Sequence, residues 1–184
     1  MKNLIDDLES CVVNPKIGLP EELFYFVGRL TPFVNVDLLV SDTSGNVVYT
    51  WRNDEHSGTG WHLPGGIVRF QETFVERVKH VAAKEIGITL DTIEGPCAIN
   101  QIIDVFARER SHFISLLFEC TIDEANSLLL QELNINNQNF LLSSEIPDNL
   151  LPKHQIYIES ISLKSKNKGQ KKKKGIAAAV LAQR

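Results

Sequence analysis

The amino-acid sequence predicts an α+β sandwich with a mixed β-sheet, organised around one central helix. Three observations point there. Apolar segments rich in β-branched residues lie both before and after residues 72–86. Within that stretch Phe74, Val78, Val81, Ala82 and Ile86 form a stripe at helical spacing, while Glu76, Arg77 and Lys79 fall largely outside it. The pair Gly65-Gly66 marks a glycine turn just ahead of the helix.

The elements then follow in order. Pro20-Glu21-Glu22 opens a short helix over 20–30, because Pro suits the first helical turn and acids favour the positive end of the helix dipole. Phe33 to Val40 reads as a strand, and Asp42-Thr43-Ser44-Gly45 as a turn into a second strand, Asn46 to Arg52. The polar, glycine-rich stretch 53–60 reads as a loop, and Trp61-His62-Leu63-Pro64 leads into the glycine pair. The central helix is expected from Glu72 to Ile86, with Gly87 as its stop. Pro96 to Phe106 and His112 to Thr121 form a hairpin with a charged tip at 107–111. A short helix over Asp123–Glu132, an Asn/Gln-rich loop over 134–139, a strand at Phe140–Leu142 and a closing helix over Leu150–Leu163 complete the reading. The expected organisation is an N-terminal extension (1–19), one domain (20–163) and a basic, flexible tail (164–184).

Composition bounds the function. A chain of 184 residues, 43% hydrophobic and 23% charged, suits one soluble domain with a sizeable core. No apolar run approaches the roughly 20 residues needed to cross a bilayer, and the N-terminus lacks a basic segment followed by an apolar one. Cys11, Cys97 and Cys120 are odd in number and scattered, which argues against a disulfide framework or zinc knot and points to the cytoplasm. The net charge of −4 hides an asymmetry: residues 164–184 carry seven Lys and one Arg with no acid, while the rest holds 11 basic residues against 23 acidic. An acidic body argues against a specific nucleic-acid partner, and no membrane partner is expected.

The chemistry centres on Gly65-Gly66-Ile67-Val68-Arg69-Phe70-Gln71-Glu72 and, further on, Lys84-Glu85-Ile86-Gly87-Ile88. A glycine turn feeding a helix can hold a metal-bound diphosphate: backbone groups meet phosphate at close range, and a glutamate binds a hard cation. The register resembles the Nudix box, G-x5-E-x7-R-E-U-x-E-E-x-G-U with U apolar. Gly66, Glu72, Glu85, Gly87 and Ile88 are in step and Ala82 suits the small apolar slot, but His80 replaces the arginine and Val81 and Lys84 replace two of three acids. The resemblance implies a Nudix fold, an α/β/α sandwich. It also makes Glu85 the metal ligand, with the Gly65 backbone carbonyl as the second. One carboxylate cannot build a multi-metal cage, yet it can hold one Mg²⁺, or Mn²⁺ as the alternative, because such ions keep waters and take phosphate oxygens. Glu72 is expected to be structural, accepting backbone N–H groups or pairing with His80.

Residues 31–40, Trp51-Arg52 and 60–66 are similar to the GDP-mannose mannosyl hydrolase branch of that family, which also keeps only the last glutamate of its acidic cluster. That likeness implies that Asp37 and Arg52 touch a nucleotide-sugar, Arg52 bracing its diphosphate, and that the chain forms a homodimer. Two departures stand out. The branch has an arginine directly after the glycine pair, where this chain has Ile67, with Arg69 two residues on as its substitute. The branch's late-loop Gln-His pair is replaced by Asn134 to Asn139 without a histidine, so Glu132 or His112 would have to serve as base. His112 is also a candidate to bind substrate. The expected activity is Mg²⁺-dependent release of a sugar from a nucleoside diphosphate by attack at the anomeric carbon. The alternatives are attack at phosphorus, or a catalytically silent module that binds a nucleotide-sugar or a protein.

Overall fold

The computed structural model describes residues 2–163; the lysine-rich tail expected over 164–184 lies outside the described residues. The elements are α1 (Lys2–Ser10), α2 (Glu21–Gly28), β1 (Phe33–Ser41), β2 (Val47–Asp54), β3 (Gly58–His62), β4 (Gly65–Ile67), α3 (Phe74–Val81), a π-turn (Ala82–Ile86), β5 (Thr92–Ile103), β6 (His112–Thr121), α4 (Glu124–Asn136), β7 (Phe140–Ser143) and a 3-10 turn (Pro152–Tyr157). They fall into two compact units. The first takes the chain to Leu38 and again Pro64–Glu119; the second takes Leu39–Leu63 and the chain from Cys120 on.

In the first unit, the opening half of β1 pairs antiparallel with β4, Val36 opposite Gly66 and Asp37 opposite Gly65. β6 lies next to β1, and β5 lies beyond it as the outermost strand. From Val36 onward every residue of β1 is buried, which explains its near-continuous apolar run. Val78, Val81, Ala82 and Ile86 carry the apolar stripe of α3 and the π-turn into the core. On α2, Phe24 stacks on Phe33 at 4.6 Å, anchoring that helix to the start of β1. α1 buries no residue.

In the second unit, β2 pairs antiparallel with β3 on one side and β7 on the other, so Thr50 faces both His62 and Phe140. Trp61 also forms an isolated parallel bridge to Leu150, outside the named strands. The core here gathers Val47, Val48, Tyr49, Leu63, Leu130, Tyr157 and Ile161.

Several boundaries differ from the sequence reading for local reasons. The central helix starts at Phe74, not Glu72, because Thr73 caps it: its hydroxyl accepts the Glu76 N–H while the Glu76 carboxylate accepts the Thr73 N–H. The loop expected over 53–60 is a tight turn, since Asp54 Oδ1 accepts the N–H groups of both His56 and Ser57 and returns the chain into β3. β5 begins at Thr92, well before Pro96, and its place at the sheet edge lets it carry a proline. α4 absorbs Asn134–Asn136 from the expected loop, with Asp123 as its N-cap. The closing helix opens as a 3-10 turn with Pro152 in its first positions. No helix among the described residues is long and apolar enough to cross a membrane.

Candidate active site

The glycine pair packs tightly on both of its faces. A Cβ at Gly65 would collide with Asp37 Oδ1, and one at Gly66 would lie 2.9 Å from Val81 Cγ2. Only glycine lets β4 lie this close to β1 and to α3 together. The Gly65 N–H then donates to Glu85 Oε2 at 3.3 Å, so the structure brings together the two residues named as metal ligands.

Glu85 reaches that point from a wide turn. At Ala82–Ile86 the chain adds one residue per turn, the Gly87 N–H bonding back to the Ala82 carbonyl at 3.0 Å, and Gly87 closes it with φ 79°. The two positions where the Nudix box has other acids part company. Val81 is buried against Gly66, where a carboxylate would be costly, and Lys84 is exposed.

Asp37 is buried and accepts the Ser115 hydroxyl at 2.6 Å, a β6 partner that the sequence did not reveal. His112, at the start of β6, is part-buried, its Nε2 lying 2.9 Å from the side-chain amide nitrogen of Gln101. Glu72 sits outside the helix, with its side chain only 10% exposed. Oε2 accepts the Arg69 N–H at 2.9 Å and the Arg77 guanidinium at 2.6 and 2.7 Å, and His80 Nδ1 lies 2.8 Å from Oε1. Arg77 is thus tied into a part-buried pair, a correction to its reading as an outward charge.

Burial raises the Glu72 pKa, but the hydrogen bonds from Arg69, His80 and Arg77 outweigh it and hold the carboxyl below its usual 4.5. Its contribution to stability is therefore full above pH 4.5 and is lost as pH falls through the lower folded value. Glu72→Ala should cost about 2–3 kcal/mol, because it strands a part-buried guanidinium. Thermal melts of both proteins at pH 7 and at pH 3 check this: the gap should be smaller at pH 3 than at pH 7.

Arg52 lies in the second unit, opposite Gly60, with its Nε 3.5 Å from Asp54 Oδ2 and its side chain 26% exposed. Alternation along β2 puts Thr50, Arg52 and Asp54 on one face, and the cross-strand partner of Thr50 there is His62. His62 donates from Nδ1 to the Thr50 carbonyl at 2.7 Å. His154 meets His62 edge-on, ring centroids 5.5 Å apart, and also meets Tyr157 at 5.4 Å. His154 Nδ1 accepts the Leu63 N–H at 3.3 Å, which places the proton of the neutral ring on Nε2. Burial first, then the charge of Arg52, pushes its pKa down to about 3, so this ring is neutral at physiological pH. Sequence reasoning passed over His154. Nothing in Leu151-Pro152-Lys153-His154 signals it, because its neighbours are distant in sequence.

The donor set can be tested against the implied cation. Among the described residues no group of three or more His, Cys, Asp and Glu is arranged for a metal. One carboxylate beside a glycine turn suits Mg²⁺ or Mn²⁺, which complete their shells with water and phosphate oxygens, and not a closed zinc site.

No protein-family model matches the chain. It is similar to the low-salt glycan biosynthesis protein Agl8 of Haloferax volcanii, with 28% identity over 116 residues, or 61% of this chain and 73% of Agl8. Among solved structures, the MutT NUDIX hydrolase of Burkholderia pseudomallei superposes with a TM-score of 0.54 at 18% identity, over 70% of this chain and 97% of that one. NrtR of Shewanella oneidensis, also solved with a 27mer DNA, gives 0.54 at 16% identity over 76% of this chain. The match spans 64% of NrtR, less than two thirds of its length. With its α+β elements and mixed sheet, the chain has the Nudix fold.

Proposed function

We propose that this chain is a Mg²⁺-dependent hydrolase of a nucleoside diphosphate derivative, with a nucleotide-sugar as substrate and Mn²⁺ as the alternative ion. The observation that carries the reading is the Gly65–Glu85 contact. It places one carboxylate on the glycine turn while the other box positions are buried as Val81 or carry the cation of Lys84. Glu85 and the Gly65 carbonyl would hold the ion, which supplies charge neutralisation for the diphosphate. Arg52 would grip two diphosphate oxygens with its planar fork and stabilise charge on the leaving nucleoside diphosphate. Asp37 and His112 would contact the substrate. Glu132 and His112 are the two alternatives for the base, and Glu132 stands exposed on α4.

The shortage of acids favours attack at the sugar carbon over attack at phosphorus, which in this reading calls for a fuller metal cage. The likeness to a protein named for glycan biosynthesis agrees with a sugar-bearing substrate. The cytoplasmic, homodimeric state expected from the sequence is part of the same proposal, and the acidic body opposes a DNA-binding role of the kind seen for NrtR.

A panel of nucleotide-sugars with Mg²⁺ tests it, scoring products separately. Sugar plus nucleoside diphosphate is the expected result. Sugar phosphate plus monophosphate would move the attack to phosphorus. Binding without turnover across the panel would leave a silent module in its place.

A further inference from the structure

Along β1, Phe33, Asn35 and Asp37 share one face of the strand, and along β6 Phe113 and Ser115 do the same. Two contacts show that these rows lie side by side. The Phe33 and Phe113 rings meet at 6.1 Å between centroids, and the Ser115 hydroxyl donates to Asp37 Oδ2 at 2.6 Å. The aromatic cluster, with Phe24 stacked on Phe33, anchors the rows at one end. The polar pair falls at the other, beside Gly65.

Ser115 is fully buried in a strand whose next residues, Leu116, Leu117 and Phe118, are all core. A hydroxyl there has given up water, and its single proton goes to Asp37. An apolar pair of the same shape would hold the two strands together about as well, so the polar pair adds little stability of its own. What it provides is direction. The χ2 torsion of an aspartate is broad and roughly two-fold, so packing alone does not set the plane of its carboxylate. With Oδ2 held by Ser115 the plane is fixed, and Oδ1 stands over Gly65, where a Cβ would strike it. The side-chain nitrogen of Asn35 borders the same spot, 3.3 Å from that Cβ position. The Gly65 N–H meanwhile donates to Glu85 Oε2, so the oxygen that Ser115 aims lies at the glycine turn of the candidate site.

We propose that Ser115 is a positioning residue for the reaction: it locks the Asp37 carboxylate with Oδ1 directed at the glycine turn, where Asp37 meets the substrate. The part played by Asp37 toward a nucleotide-sugar rests on the function proposed above; its orientation by Ser115 does not.

Two measurements on the full-length protein test this. Crystal structures of wild type and Ser115→Ala read the orientation directly: the Asp37 carboxylate should leave its wild-type plane or adopt more than one. Kinetics with Mg²⁺ and the panel nucleotide-sugar that wild type hydrolyses fastest read the consequence. Ser115→Ala should lower kcat about 10- to 100-fold, the worth of a hydrogen bond to a charged group, and change KM by less than about threefold. Ser115→Thr restores the hydroxyl and should recover most of the rate. In an Asp37→Asn background Ser115→Ala should lower kcat by less than about twofold, because the charged group that it orients is gone. Ser127→Ala removes another fully buried serine, whose Oγ lies 3.4 Å from Thr43 Oγ1 in the second unit, and should leave kcat unchanged. Circular dichroism melts establish that each variant is folded, and the double-mutant comparison carries the test if the threonine variant is not.

An Asp37 carboxylate that keeps its wild-type plane in Ser115→Ala overturns the proposal. So does a folded Ser115→Ala protein with wild-type kcat, or a loss equally large in the Asp37→Asn background, which would make the serine a packing residue. A turned carboxylate, in a protein whose wild type hydrolyses nothing in the panel, supports the orientation and defeats the hydrolase reading alone.

Discussion

Glu85→Gln is expected to abolish nearly all Mg²⁺-dependent turnover while leaving the fold in place. The amide oxygen of glutamine can still accept the Gly65 N–H that Glu85 now accepts at 3.3 Å, so the turn and β4 lose little. What disappears is negative charge. The neighbouring box positions offer no substitute, Val81 being buried and Lys84 cationic. Charge stabilisation by a bound metal is worth several kcal/mol in the transition state, so a loss of about 3–4 kcal/mol corresponds to roughly a 10²- to 10³-fold fall in kcat/KM. Mg²⁺ titration and a thermal melt on the same preparation separate the two effects. A Glu85→Gln protein with unchanged rate and metal affinity would put the ion elsewhere.

The second large effect is expected at Arg52. Arg52→Lys keeps the charge and removes the fork, so it isolates bidentate geometry. Arg52 is loosely paired with Asp54 at 3.5 Å, a contact too weak to contribute much stability, and the substitution should leave the melting temperature almost unchanged. The rate should fall by tens- to hundreds-fold, about 2–4 kcal/mol, because the contact strengthens as the leaving group gains charge. Affinity for a product nucleoside diphosphate should fall less than the rate. The appropriate comparison is Arg108→Lys. Arg77→Lys would not serve, since Arg77 is locked to Glu72 at 2.6 Å and its replacement would disturb the fold. Equal, small effects at Arg52 and Arg108 would take Arg52 out of the reaction.

Much of this architecture is local and hence readable in one dimension. Alternating and β-branched runs mark β1 and β6 to within a residue, and a spacing of twenty residues brings Gly65 and Glu85 to one place because a turn and a helix of fixed rise connect them. The start of α3 was legible in principle, since Thr73 and Glu76 spell a capping box, but Glu72 competes as a helix-start acid and drew the boundary two residues early. What stayed hidden is what long-range packing decides. Ser115 supports Asp37 across 78 residues of sequence, and His154 meets Leu63 across 91. Gly18 meets Arg69 through a contact that no periodicity encodes. The pairing of Arg77 with Glu72 escaped for another reason: an arginine outside the apolar stripe reads as solvated until a buried acceptor is known.

The wide turn at Ala82–Ile86 gives length a role that chemistry usually holds. An ordinary helix places successive side chains about 100° apart, so the inserted residue sets the direction in which everything after it points. Ala83 is exposed, and a change of its identity is expected to be close to neutral. Its removal is another matter. A chain one residue shorter would close the turn as α-helix, swing Glu85 off the glycine turn by about a quarter revolution, and move Gly87 out of the position that ends the helix. This stretch is therefore tolerant of spelling and intolerant of deletion. In a lineage of such chains, a gap here would mark the loss of the carboxylate from its post even where every acidic letter survives.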